Sequence, residues 1–217
     1  MNWHPEAVPP PALVAVDSLA QAPGMERFYL AGGTALALQL GHRISVDLDF
    51  FSNEDKLDAA QRRRLRSRLS GLPGFHLREE SEGTLHVVIA GVETSFLRYS
   101  YPLARKTLAW KGLRIASQAD IGLMKVGAII GRGARKDFRD LREIVRTHPL
   151  EDLLKLSAKK FPDSEDFLFQ ASKALVYFKE AELSPEPKLL REEPWEMVRH
   201  FFEREVPRVF RRLSLDR

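Results

Sequence analysis

The chain of 217 residues has no cysteine. Disulfides and thiolate-bound metals are thereby excluded, and the composition suits a reducing, cytoplasmic setting. No apolar run approaches the roughly 20 residues of a membrane span, so no membrane partner is expected. Residues Met1 to Ala12 are polar and proline-rich, so no signal peptide is expected either. Among the six histidines, His42, His76, His86 and His200 are dispersed and offer no metal-ligand spacing. There is no Gly-Lys-Ser/Thr phosphate loop and no three-glycine dinucleotide fingerprint, which disfavours both of those nucleotide-binding folds. No zinc knuckle, DNA-binding finger, aromatic RNA-binding motif, internal repeat or low-complexity segment is present.

What is present begins with Gly32-Gly33-Thr34. Phe28 to Ala31 reads as a short buried strand, and Thr34 to Leu40 as a helix opening straight after it. The glycine pair then sits at a helix N-terminus, where free N–H groups and the positive dipole end suit a phosphate. From Arg43 onward the residues alternate, with Arg43, Ser45, Asp47 and Asp49 on one face and Ile44, Val46, Leu48 and Phe50 on the other. This predicts a strand with a polar front and an apolar back. Asp47 and Asp49 project the same way with Cα atoms about 6.5 to 7 Å apart. Two such carboxylates with phosphate oxygens form a hard donor set of the kind magnesium prefers. Each feature alone has an ordinary reading, a turn or a solvated strand face; their order along the chain points to nucleotide chemistry.

The stretch Gly32-Gly33-Thr34-Ala35-Leu36-Ala37-Leu38, running into Gly41-His42-Arg43-Ile44-Ser45-Val46-Asp47-Leu48-Asp49-Phe50-Phe51, resembles the AbiEii/AbiGii toxin family of abortive-infection systems, within the polymerase-β-like nucleotidyltransferase superfamily. The resemblance continues through Val92 to Leu103, Lys125 to Leu141, Ala174 to Phe178 and Trp195. It implies an α+β fold: a nucleotidyltransferase core with a short mixed sheet and helices, followed by a helical C-terminal lobe closing a cleft. The boundary is expected near residue 104, giving lobes 1–104 and 105–217. It further implies Gly32, Gly33 and Thr34 as triphosphate contacts, with Arg43 and Ser45 beside them, and Asp47 and Asp49 as ligands of magnesium. Many superfamily members carry a third carboxylate on a neighbouring strand. Here Ser95 falls at that position in Val92-Glu93-Thr94-Ser95-Phe96-Leu97. Glu93 lies on the same face, two residues or about 6.5 to 7 Å away, and is a candidate substitute metal ligand, the alternative being a solvated residue or a two-carboxylate site.

Asp120 reads as the N-cap of a helix ending at Gly131-Arg132-Gly133, with a second helix from about Arg135. Lys125 and Arg132 share a helix face. The resemblance matches Lys125, Arg132, Lys136, Asp137 and Asp140 to the family's later motifs. It makes Lys125, Arg132 and Lys136 nucleotide contacts and Asp137 a catalytic or organising carboxylate; the ordinary reading is a surface helix pair laced with ion pairs.

The net charge is only +4, but arginines crowd into three groups: Arg62, Arg63, Arg64, Arg66 and Arg68; the stretch from Arg132 to Arg142; and Arg208, Arg211, Arg212 and Arg217. Such groups suit an RNA backbone or a solvated helix equally. Met1 to Pro11 is expected as a loose arm, Leu13 to Ala22 as the first helix, and Leu85 to Leu97 as a strand pair. After Tyr101-Pro102 the pattern is mainly helical, at Leu150 to Phe161, Ser164 to Glu182 and Pro194 to Glu203. Trp195, Phe201 and Phe202 read as packing residues. The function the resemblance implies is transfer of a nucleoside monophosphate from a nucleoside triphosphate to RNA, at the transfer RNA 3′ end in some relatives, by a toxin that a separate antitoxin protein neutralises. The alternatives are a catalytically impaired binding module of the same fold, or transfer to a protein or small molecule.

Overall fold

The computed structural model describes residues 2–215; Met1 of the expected arm and Arg217 of the third basic group lie outside them. The chain divides into two compact units, Met1–Tyr101 with Lys106–Ser117, and Pro102–Arg105 with Gln118–Arg217.

The first unit is built on a seven-stranded mixed sheet of order β3-β4-β5-β2-β1-β7-β6. Its strands are β1 Tyr29–Ala31, β2 Leu48–Ser52, β3 His76–Ser81, β4 Thr84–Ile89, β5 Val92–Arg98, β6 Leu108–Trp110 and β7 Leu113–Ile115. All neighbours are antiparallel except the parallel pairs β1–β7 and β2–β5. Strand β1 is buried throughout, as its apolar run requires. Strands β2, β4 and β5 alternate, and their apolar face sets Phe50 on Phe96, with ring centroids 5.3 Å apart, and Phe96 against Phe28 at 5.2 Å. Three helices belong to this unit: α1 Pro10–Ala20, α2 Gly32–Leu40 and α3 Ala59–Leu69. The arginine-rich α3 has few apolar residues, yet it starts cleanly because Asp58 and Gln61 form a reciprocal capping box.

Three expectations in this unit are corrected. The strand predicted from Arg43 begins only at Leu48. Arg43 is buried and Val46 half exposed, the reverse of the expected faces. The cause is the N-terminal segment, which is not a loose arm: its 3-10 turn at Pro5–Ala7 docks here, Ala7 is buried, and the Ala7 carbonyl accepts from Ser45 N–H at 3.1 Å. The region after Tyr101 is not helical at once, since β6 and β7 complete the sheet. These strands are three residues long, too short for alternation to show. Their signal is the Lys111-Gly112 turn, where both residues have positive φ, 48° and 80°, as a tight hairpin requires. Strand β3, mostly charged and exposed at the sheet edge, also escaped the hydrophobic pattern.

The second unit is helical: α4 Gln118–Gly131, α5 Arg135–Ile144, α6 Leu150–Lys155, α7 Ser157–Lys160, α8 Phe167–Ala174, α9 Lys179–Leu183 and α10 Trp195–Leu215. The long helix expected over Ser164 to Glu182 breaks at Leu175–Phe178. Val176, Tyr177 and Phe178 are poor helix formers, and Phe178 turns inward onto Phe138 at 5.1 Å and Trp195 at 6.1 Å. Phe202 joins this cluster at 5.5 Å from Phe138. Asp120 is not an N-cap, because α4 starts two residues earlier. Its buried carboxylate instead accepts from the backbone N–H groups of Ala104 at 2.8 Å and Arg105 at 3.0 Å and from Lys160 Nζ at 2.9 Å. Burial pushes the Lys160 ammonium below its usual range against the pull of Asp120. Among the described residues no helix is long and apolar enough to cross a membrane.

Candidate active site

The turn from β1 into α2 places Gly32 in left-handed backbone, φ +66°, a conformation that disfavours any residue with a Cβ. Space imposes the same choice. A Cβ on Gly32 would stand 2.7 Å from Asp49 Oδ2, and one on Gly33 would stand 2.8 Å from Ser45 Oγ and collide with the Arg43 guanidinium. The backbone at the helix start is thus pressed against a carboxylate, a guanidinium and a hydroxyl, with its first N–H groups free of intrahelical partners. Thr34, buried on the first turn, donates to the Asp47 carbonyl and lies 3.0 Å from Ser45 Oγ. That contact ties the segment before β2 to the helix. Gly32, Gly33, Thr34, Arg43, Ser45, Asp47 and Asp49 are therefore one cluster within the first unit.

The two aspartates differ. Asp47 precedes β2 and is exposed, whereas Asp49 lies within the strand and is half-buried. Among the described residues no group of three His, Cys, Asp or Glu could hold a metal. Two carboxylates beside a phosphate-sized backbone turn nevertheless fit magnesium, which is usually held by one or two carboxylates, substrate phosphates and water.

Strand pairing extends the site sideways. Asp49 is in register with Ser95 on β5, Ser95 with His86 on β4, and His86 with Glu79 on β3. Neighbouring strands lie about 4.8 Å apart, so these residues form a row on the face that carries Asp49. His86 Nδ1 is 2.9 Å from Ser95 Oγ. Glu93 is exposed and pairs with Arg78 at 3.0 Å. Sequence reasoning missed His86, because only the β4–β5 register brings it beside Ser95.

In the second unit Lys125 of α4, Arg132 of the turn after it, and Asp137 and Asp140 of α5 come together. Lys125 Nζ lies 2.9 Å from Asp137 Oδ1 and 2.6 Å from Asp140 Oδ2, while Arg132 Nε reaches Asp137 Oδ2 at 2.8 Å. Both carboxylates are fully buried. Burial would raise the Asp137 carboxyl, but hydrogen bonds from Arg132 and the charge of Lys125 hold it below the ordinary carboxylate range. Lys136 is exposed and is not part of this cluster. In the second basic group, Arg139 bonds Glu186 at 2.8 Å and Arg142 bonds Glu193 at 2.9 Å. On α3, by contrast, Arg63, Arg64 and Arg68 are exposed and no ion pair engages them among the described residues.

A mixed sheet, a glycine turn opening a helix against an aspartate, and a second aspartate two residues before it define a nucleotidyltransferase fold. The sequence profile of the family described as nucleotidyl transferase AbiEii toxin, type IV TA system, matches residues 14–108. An uncharacterized protein of Aquifex aeolicus, aq_aa25, is 38% identical over 184 residues, which span 82% of this chain and 86% of that one. Among solved structures, MenT4, the nucleotidyltransferase toxin of Mycobacterium tuberculosis H37Rv, has a TM-score of 0.55 at 17% identity, over 91% of this chain and 84% of that one. JHP933 from Helicobacter pylori has a TM-score of 0.52 at 18% identity, over 95% of this chain and 91% of that one. These two show the fold. The chain belongs to the AbiEii nucleotidyltransferase toxin family.

Proposed function

We propose that this protein is a magnesium-dependent nucleotidyltransferase that transfers a nucleoside monophosphate from a nucleoside triphosphate to RNA, acting in the cytoplasm as the toxin of a toxin–antitoxin pair. The observation that carries the reading is the contact between the Gly32 backbone and Asp49, which sets free helix N–H groups beside a carboxylate that suits a cation. Membership of a toxin family supports the antitoxin partner, and the exposed arginines of α3 support an RNA acceptor.

The triphosphate is held by the N–H groups of Gly32 and Gly33 at the positive end of α2 and by the Arg43 guanidinium behind Gly33. Thr34 and Ser45 fix the segment that carries Asp47. Asp47 and Asp49 are the ligands of magnesium, which when bound supplies positive charge for the reacting phosphate oxygens. The acceptor hydroxyl attacks the α-phosphorus in line, and pyrophosphate leaves. Positioning and fixed dipoles supply most of the acceleration in a site of this kind. Lys125, Arg132, Lys136 and Asp137 are proposed as a second set of residues that transfer requires.

The test is transfer of label from each α-labelled nucleoside triphosphate to total cellular RNA, with Asp47→Asn/Asp49→Asn as the control. Labelled RNA that depends on the aspartates supports the reading. A second reading, a binding module that retains the fold without transfer, is favoured by Ser95, which puts no carboxylate in register with Asp49; it expects nucleotide binding with no pyrophosphate released.

A further inference from the structure

We propose that Ser95 and His86 form a relay that removes the proton from the attacking hydroxyl, an inference that rests on the nucleotidyltransferase reading above. An acceptor hydroxyl needs a proton acceptor as it bonds to phosphorus. Carboxylates committed to a cation have their lone pairs engaged and serve poorly as that base. On β5, beside Asp49 and on the same face of the sheet, stands its register partner Ser95. A lone hydroxyl is no base, but this one lies 2.9 Å from His86 Nδ1. The pairing of a hydroxyl with an imidazole is the arrangement by which a serine passes a proton on.

The surroundings of His86 leave the ring available for this work. On its own strand, Thr84 and Val88 flank it on the same face and carry no charge. From β5 it meets Ser95. From β3 it is in register with Glu79, which a bulge between Leu77 and Glu79 brings opposite it. Arg78, at that bulge, is tied to Glu93. Glu79 is exposed and acidic.

The step balances as follows in atoms. The acceptor oxygen forms its bond to the α-phosphorus while its proton passes to Ser95 Oγ and the Ser95 proton passes to His86 Nδ1. The bond from the α-phosphorus to the bridging oxygen breaks, and its electron pair leaves with pyrophosphate. The imidazolium then releases one proton to solvent. Ser95 is the catalytic residue here and His86 the positioning and relay residue.

The test uses the full chain with His86→Asn, Ser95→Ala, Ser95→Asp and the double variant His86→Asn/Ser95→Asp. Asparagine keeps a hydrogen-bond partner for Ser95 but cannot accept the proton. In labelled-nucleotide transfer to RNA, His86→Asn and Ser95→Ala are expected to lower kcat about 100-fold. KM for the nucleotide, and binding of α,β-methylene nucleotide analogues with magnesium, are expected to stay unchanged. Ser95→Asp places a base directly in the row, so in that background His86→Asn is expected to cause no further loss. An unchanged kcat in His86→Asn, a loss that persists in the Ser95→Asp background, or a parallel loss of analogue binding overturns the relay. Transfer that survives His86→Asn but fails in Asp47→Asn/Asp49→Asn overturns the relay alone. No transfer by the wild-type chain to any acceptor overturns the relay and the nucleotidyltransferase reading together.

Discussion

Two acidic clusters in this molecule use the same side chain for opposite ends. Asp47 and Asp49 stand at the start of β2, exposed and half-buried, with Asp49 close against Gly32. Asp137 and Asp140 are fully buried on α5 and already hold Lys125 and Arg132. The second cluster is fully buried and its carboxylates bind cations of the protein itself, whereas the first lies at least partly open to solvent. Losing an aspartate from the first is therefore expected to remove chemistry alone, and losing a charge from the second to remove stability as well as transfer.

The largest effect expected is on transfer. Asp47→Asn/Asp49→Asn should abolish it with little change in thermal midpoint, checked by labelled-nucleotide transfer alongside calorimetry. A collapse of the midpoint would move these aspartates into the class of Asp137. Next in size is Lys125→Met, which removes the buried cation that Asp137 and Asp140 share and should cost about 3–5 kcal/mol in urea unfolding. Loss of transfer without that destabilisation would give Lys125 the nucleotide-contact role implied by its motif.

Replacing Gly33 with alanine should raise KM for the nucleotide more than it alters stability, since its Cβ displaces the Arg43 guanidinium. Equal KM values would remove Arg43 from the triphosphate site. The pH dependence separates the clusters further. The folded-state pKa of Asp137 lies below its unfolded value. Its contribution to stability is therefore complete above the unfolded pKa of about 3.8–3.9 and is lost as pH falls through the lower folded value. Acid titration of the Asp137→Asn variant should lack that part of the decline. The smallest effect expected is on RNA affinity. Arg63→Gln/Arg64→Gln/Arg68→Gln should weaken binding and flatten its salt dependence, measured by filter binding across ionic strength; an unchanged slope would take α3 out of the RNA surface.

The sequence carried the first cluster well, because its signal is local. Gly32-Gly33 sits where a strand turns into a helix, and Asp47 and Asp49 follow within twenty residues. It misjudged the faces of Arg43 and Val46 because the N-terminal turn at Pro5–Ala7, distant in sequence, supplies the contact that shapes that segment. Strands β6 and β7 were too short to announce themselves except through their turn. Glu93, a candidate ligand by its strand face, pairs with the exposed Arg78. His86 became visible only once β4 and β5 were in register. The buried Asp120–Lys160 pair joins residues forty apart, and no pattern in the sequence marks it.

The measurement that bears most directly on the account is transfer from α-labelled nucleoside triphosphates to RNA by wild-type protein and by Asp49→Asn at equal folded fraction. The account expects labelled RNA and released pyrophosphate from the wild type and neither from the variant. Equal labelling by both would contradict the claim that Asp49 and the Gly32 turn form the reacting site.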